Sequence, residues 1–101
     1  IYFIRLKNLQ HIPTDKLIIQ ELCQIPGVGR SIAQDLIHIG ITSIDQLDGQ
    51  DPQSLYDRSN QYAGCIQDRC LLYVFREAVY FAETPAQSRE PEKLKWWNWK
   101  D

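Results

Sequence analysis

The chain has 101 residues, with 11 Lys plus Arg set against 13 Asp plus Glu for a formal charge of −2. That length fits one domain with a modest core, too small for a large substrate pocket between domains, and the charge balance exerts no overall pull toward nucleic acid or anionic lipid. No run approaches the roughly 18 apolar residues of a membrane span, and three cysteines suit reduced thiols, so a cytoplasmic protein without membrane attachment is expected.

Residues 1–12 read as an N-terminal extension, 13–84 as the core and 85–101 as a tryptophan-rich segment docked on it. From Pro13 onward the punctuation is helical. Thr14 would cap a first helix carrying Leu17, Ile18, Ile19 and Leu22. A second helix starts at Ser31, turns Ile32, Ala33, Leu36 and Ile37 inward, and meets Gly40 where a left-handed cap belongs. Ser43 with Gln46 forms a capping-box pattern for a short third helix through Leu47, ended by Gly49. Asp51 followed by Pro52 opens a fourth helix that closes at Gly64. The fifth runs from about Asp68 until Pro85 stops it, with Leu71, Val74, Phe75, Ala78 and Ala82 inward. Ala86–Glu90 reads as a polar connector and Glu92–Trp99 as a short terminal helix or turn, giving a compact all-α domain of five to six helices.

The stretch that carries chemistry is Ile25-Pro26-Gly27-Val28-Gly29-Arg30-Ser31-Ile32-Ala33, with a helix on either side. Two glycines allow a tight turn while Val28 anchors it. The free N–H groups at the start of the second helix then point outward with those of Gly27 and Gly29. A helix start carries about half a positive charge and suits a phosphate, and Arg30 adds a full one.

This run resembles the helix-hairpin-helix motif of DNA repair and processing proteins, over about Leu17 to Leu36. The resemblance implies duplex DNA as a partner, bound weakly and without sequence preference, with main-chain N–H groups of Gly27, Gly29, Ser31 and Ile32 on phosphate oxygens. It also implies a monovalent cation at the carbonyls of Cys23, Ile25 and Val28. Further along, Gly-Ile-Thr-Ser-Ile-Asp-Gln-Leu after the hairpin, Asp-Pro-Gln-Ser-Leu-Tyr at 51–56, Tyr73-Val74-Phe75-Arg76 and Leu94-Lys95-Trp96-Trp97-Asn98-Trp99 look like the bacterial pathogenicity locus (Cdd1-like) family. Members of that family have also been called mitomycin-resistance proteins. Many hairpin proteins pair two such units. The fourth and fifth helices, joined by 63–67, stand where a second would be, but a single glycine remains, so a degenerate hairpin without a phosphate cradle is expected, in a SAM-like, (HhH)2-like fold.

Other constellations have competing readings. Arg69, Tyr73, Arg76 and Tyr80 share one stripe of the fifth helix, either as a secondary surface for phosphates, sugars or a protein, or as a face covered by the C-terminal segment with Asp68 and Glu77 as salt partners. Trp96, Trp97 and Trp99 beside Lys93, Lys95 and Lys100 suit core docking with the lysines in water better than base stacking. Cys23 and Cys70 fall on apolar helix faces, and Cys65 and Cys70 with His38 or His11 match no zinc spacing. Asp45, Asp48 and Asp51 read as helix punctuation. No cofactor or catalytic residue is assigned. The functional expectation is a non-enzymatic DNA-binding domain, in repair or damage tolerance, using a partner or a homodimer to gain affinity. The alternative is a protein-interaction module using the Arg/Tyr face.

Overall fold

A computed structural model describes residues 15–101, so the Thr14 cap and the 1–12 extension lie outside the described residues. Four α-helices follow one another: α1 (15–22), α2 (Arg30–His38), α3 (Pro52–Ala63) and α4 (Cys70–Glu83). Among the described residues there is no strand. The expected third helix is a 3₁₀ turn, Ile44–Leu47, and the chain after α4 forms three more, Ala86–Ser88, Pro91–Leu94 and Trp96–Trp99, in place of a terminal helix.

α4 is the axis of the core. Leu71, Leu72, Val74, Phe75, Ala78, Val79 and Phe81 are all buried, so the helix is covered around most of its circumference and not along one stripe. α3 supplies Leu55 and Tyr56, the hairpin supplies Leu22, Ile25, Val28, Ala33 and Leu36, and Ile41 and Leu47 close the remaining side. Each fully buried Leu or Phe contributes about 1.5–3 kcal/mol relative to exposure. Leu17, expected inward, is 63% exposed, because Leu22 takes the central position of α1 while Ile18 and Ile19 are half-buried.

Local signals account for the ends of the central helices. Gly40, at φ +93°, closes α2 with its N–H on the Ile37 carbonyl (3.0 Å) and that of Ile41 on Leu36 (2.9 Å), a Schellman pattern. The Asp51 carboxylate accepts the Gln53 N–H and Pro52 occupies the first helical position of α3. The capping box does not form. Gln46 Oε1 instead accepts the Thr42 N–H at 2.7 Å, and the Ile44 N–H donates to Glu21 Oε2 at 2.7 Å, a carboxylate brought in by α1. A 3₁₀ turn capped from outside thus replaces a self-capped helix.

The link from α3 to α4 is held by side chains. Tyr56 OH donates to the Gln67 carbonyl at 2.6 Å, and the Gln67 N–H donates to Asn60 Oδ1 at 2.9 Å. Two residues ahead of α4, the Asp68 carboxylate accepts the Cys70 N–H at 2.9 Å, which satisfies the first free donor of the helix. Beyond α4, the Arg89 guanidinium reaches the carbonyls of Phe81 (3.1 Å) and Thr84 (3.0 Å) and lies 3.6 Å over the Phe81 ring, which ties the connector to the end of the helix.

Candidate nucleic-acid interface

The chain between α1 and α2 turns through short backbone hydrogen bonds. Cys23, Gln24 and Ile25 donate to Ile19, Glu21 and Leu22, and Val28 donates to the Ile25 carbonyl at 3.0 Å. Buried Ile25 and Val28 nail this turn to the core, leaving Gly27 and Gly29 exposed between and beyond them. The first intrahelical bond of α2 runs from Ala33 N–H to the Gly29 carbonyl at 2.9 Å. The N–H groups of Gly29, Arg30, Ser31 and Ile32 precede it and donate to no acceptor among the described residues, nor does that of Gly27. α2 begins at Arg30, one residue earlier than expected, so Arg30 is the first residue of the helical turn itself.

The two glycines differ in kind. Gly27 has φ +83°, and a Cβ there would stand 3.1 Å from Trp96 Cδ1 and 3.4 Å from Glu77 Oε1, so both backbone and space require glycine. Gly29 is extended at φ −93°, ψ −172°, a conformation open to any residue, and a Cβ there would meet nothing within 4 Å. Nothing among the described residues demands glycine at 29. The absent side chain exposes a row of unpaired N–H groups to close approach from outside.

Glu77 lies beneath this turn. Its side chain is fully buried and neither carboxylate oxygen has a hydrogen-bond partner among the described residues. Burial pushes its carboxyl up to about 8, so at neutral pH it sits protonated and places no negative charge under the helix start. Glu77 is therefore not the salt partner of Arg76 that its position on the helix suggests.

Two grooves flank α2. On one side Arg30, Gln34 and His38, four residues apart, line a groove with Lys16, Asp15, Ile19 and Ile37. Gln34 and His38 are absent from the site expected on sequence grounds, although their regular spacing from Arg30 is a signal the letters carry. On the other side a groove of about 360 Å³ runs between Gly27, Ile32 and Asp35 and the start of α4, with Trp96 as one wall. The Asp35 carboxyl is raised by burial there, an effect opposed by nearby His38. His38 also stacks on Tyr62, ring centroids 4.4 Å apart.

The second helix start, that of α4, is occupied by the Asp68 carboxylate and is not open in the way α2 is. The carbonyls of Cys23, Ile25 and Val28 lie on one turn and are oxygen donors of the kind a hard monovalent ion takes. That of Ile25 already accepts the Val28 N–H and keeps one lone pair. Among the described residues no group of three or more His, Cys, Asp or Glu side chains is placed to hold a metal ion. Cys23 and Cys65 are exposed and Cys70 is half-buried, so the expected apolar setting of Cys23 is wrong: it sits in the turn after α1 and not on the helix.

The Arg/Tyr stripe of α4 is not a free surface. Arg69 Nε and Arg76 Nη2 both pair with Asp101, the latter at 2.8 Å, Tyr73 OH donates to the same carboxylate at 3.3 Å, and Arg76 Nη1 donates to the Trp99 carbonyl at 2.7 Å. Tyr80 packs against Trp99, centroids 5.6 Å apart. Asp101 thus takes the place expected for Asp68 and Glu77. The two guanidinium groups hold its carboxyl well below the usual range, at about 2. Trp96 and Trp99 are half-buried while Trp97 is 50% exposed, and Lys93 and Lys95 pair with Glu90 and Glu92 at the surface.

A family model described as "Pathogenicity locus" matches residues 15–101. The chain is 39% identical over 80 residues to "Mitomycin resistance protein McrB" of Streptomyces lavendulae, covering 78% of this chain and 70% of the relative. No solved structure matches it. Among the described residues no helix is long and apolar enough to cross a membrane.

Proposed function

The chain belongs to the pathogenicity locus family, and we propose that it is a non-enzymatic, sequence-independent DNA-binding domain of helix-hairpin-helix type, gripping phosphates at the start of α2. The observation that carries this reading is Gly29. It is glycine where neither its backbone angle nor packing among the described residues asks for it, at the head of a row of outward N–H groups. A phosphate oxygen there would accept from Gly29, Ser31 and Ile32, with Gly27 beside them and the Arg30 guanidinium adding Coulomb attraction. The neutral Glu77 carboxyl leaves that attraction unopposed from below.

Arg30, Gln34 and His38 with Lys16 extend the polar face along α2, in the direction a second phosphate of the same strand would follow. A monovalent ion at the carbonyls of Cys23, Ile25 and Val28 would supply further positive charge beneath the phosphate. α3, the 64–69 link and α4 act as the structural partner of the hairpin, with Asp68 filling the second helix start. Few charges are neutralised, so a single domain binds at about 10⁻⁴ to 10⁻⁶ M at physiological salt and depends on a dimer or a protein partner for tighter association. A role in DNA repair or damage tolerance is compatible with the name of the relative. The alternative of a protein-binding Arg/Tyr face has less support, since residues 99–101 already engage that face.

Titration of the isotope-labelled protein with a short duplex at low and moderate salt tests the proposal. Shifts centred on Gly27, Gly29 and Ser31 that fade with salt are expected. No shift at low salt would sink it. Gly29→Ser adds the test specific to the geometry: a good N-cap should keep or raise stability by a few tenths of a kcal/mol while weakening DNA binding at least several-fold. Arg30→Glu should abolish binding with folding intact.

A further inference from the structure

A basic cluster on α4 lies outside the hairpin. Arg69, Tyr73 and Arg76 succeed one another at four and three residues, so their side chains project from consecutive turns toward one point. That point holds a single carboxylate, Asp101, which takes a guanidinium hydrogen bond from each arginine and the phenol O–H of Tyr73. Two guanidinium forks and a hydroxyl converging on one acidic group is a donor set that also fits the tetrahedral oxygens of a phosphate, with donors to spare for the additional oxygens. The cluster is open to solvent: Arg69 is 51% exposed, Asp101 47% and Arg76 27%. Ion pairs at such exposure contribute little net stability and exchange readily.

The segment carrying Asp101 is fastened by contacts that do not involve the Asp101 side chain, among them the bond from Arg76 Nη1 to the Trp99 carbonyl. Trp99 Nε1 donates to the Lys93 carbonyl at 2.9 Å, Asn98 Nδ2 to the Glu92 carbonyl at 2.8 Å, Trp99 lies on Tyr80, and Trp96 lies on Gly27. Asp101 can therefore leave the arginines while the tryptophans stay docked. The cluster also sits near the hairpin: the groove beside Gly27 and Ile32 is lined across from them by Asp68 and Cys70, the neighbours of Arg69.

We propose that Arg69, Tyr73 and Arg76 form a second phosphate site, closed in cis by Asp101, which a nucleic-acid phosphate displaces. The site itself is independent of the hairpin reading, and only the identity of the phosphate carrier as duplex DNA rests on it. Displacement moves Asp101 into solvent and exchanges one anion for another on the same donors, so no charge is stranded.

Two probes separate the site from its occupant. With inorganic phosphate, Asp101→Asn should show shifts of the Arg69 and Arg76 Nε–H signals at concentrations about tenfold below those needed by the unmodified chain, where the Asp101 carboxyl carbon should move in step with them. Arginine signals unmoved by phosphate in both proteins overturn the site. Arginine signals that move in the unmodified chain without the Asp101 carbon overturn the displacement. Melting temperature and tryptophan fluorescence report whether the segment stays docked, and the signals of the unmodified chain decide the matter even if the variant undocks. With a short duplex, Asp101→Asn should tighten binding several-fold and Asp101→Asn with Arg76→Ala should reverse the gain. An unchanged affinity in Asp101→Asn, alongside loss in Arg30→Glu, rejects this second site for DNA and leaves the hairpin reading standing. Binding that survives Arg30→Glu but follows Asp101→Asn does the opposite.

Discussion

Glu77→Gln isolates the effect of burying, beneath the hairpin turn, a carboxyl with no partner among the described residues. The unfolded chain ionises this group at its ordinary value of 4.5, whereas burial raises it to about 8 in the fold, so between these values the folded state binds more protons than the unfolded one. Stability from this group is fully present below pH 4.5 and is lost as pH rises toward 8. At ~1.4 kcal/mol per pH unit between the two values, and less at each end, the loss amounts to about 3 kcal/mol between pH 4.5 and 7 and about 4 by pH 8. Glutamine fills the same volume and does not titrate. The stability of Glu77→Gln relative to the unmodified chain should therefore climb with pH along that slope, whatever constant offset the amide introduces. Urea unfolding at several pH values, followed by tryptophan fluorescence, measures the difference, and the other titrating groups cancel in it. Two parallel profiles, separated by a constant to within about 0.5 kcal/mol, would refute the reasoning, because Glu77 would then have a partner or water in the folded state.

Gly27→Ala should destabilise the fold by about 2 kcal/mol, since a left-handed backbone costs an L-residue roughly 1–2 kcal/mol and the new methyl crowds Trp96; an effect below about 0.5 kcal/mol in urea unfolding would contradict the packing described. Ser43→Ala should be close to neutral because its side chain makes no cap bond, whereas Gln46→Ala should cost roughly 0.5–1 kcal/mol through the lost bond to Thr42 N–H. For Asp101, the depressed value of about 2 means that its ion pairs are fully present above the ordinary carboxyl value of 3.8 and are lost as pH falls through 2. Its carboxyl carbon should titrate there by NMR, and in Arg76→Ala the midpoint should move back toward the ordinary value.

Elements whose signals lie within a few residues are readable from the letters. Asp51-Pro52 opens α3 by a bond spanning two residues, and Gly40 closes α2 by bonds reaching three to five back. The backbone hydrogen bonds of the hairpin turn belong to the same class, because they run between residues 19 and 33. What escapes depends on distance. Ser43 and Gln46 have the correct spacing for a capping box, but Glu21 reaches across 23 positions to cap Ile44 and the local pattern is overridden. The acid facing Arg69 and Arg76 is expected within a few positions of them, at Asp68 or Glu77, and lies 25 to 32 residues away. The charge of Glu77 suggests a surface position, although α4 is apolar at 71, 72, 74, 75, 78, 79, 81 and 82 and leaves little circumference for solvent. Gly29 looks equivalent to Gly27 in the letters, and what separates the glycine the fold needs from the other is the distant Trp96 and Glu77 packed on Gly27.

The contact of Trp96 with Gly27 links the order of synthesis to the completion of the hairpin. Residues 19 to 33 can form their turn as soon as they leave the ribosome, since every bond within it is local. The aromatic wall on Gly27 comes 69 residues later in the chain, and Glu77 fifty residues later, so the turn forms open on its inner side and is sealed only when those residues join it. A nascent chain whose residues 19 to 33 have emerged before Glu77 and Trp96 would display a hairpin with its outward N–H groups in place and its inner face bare. The turn should therefore gain protection in two steps, the first local and the second once Trp96 can reach Gly27.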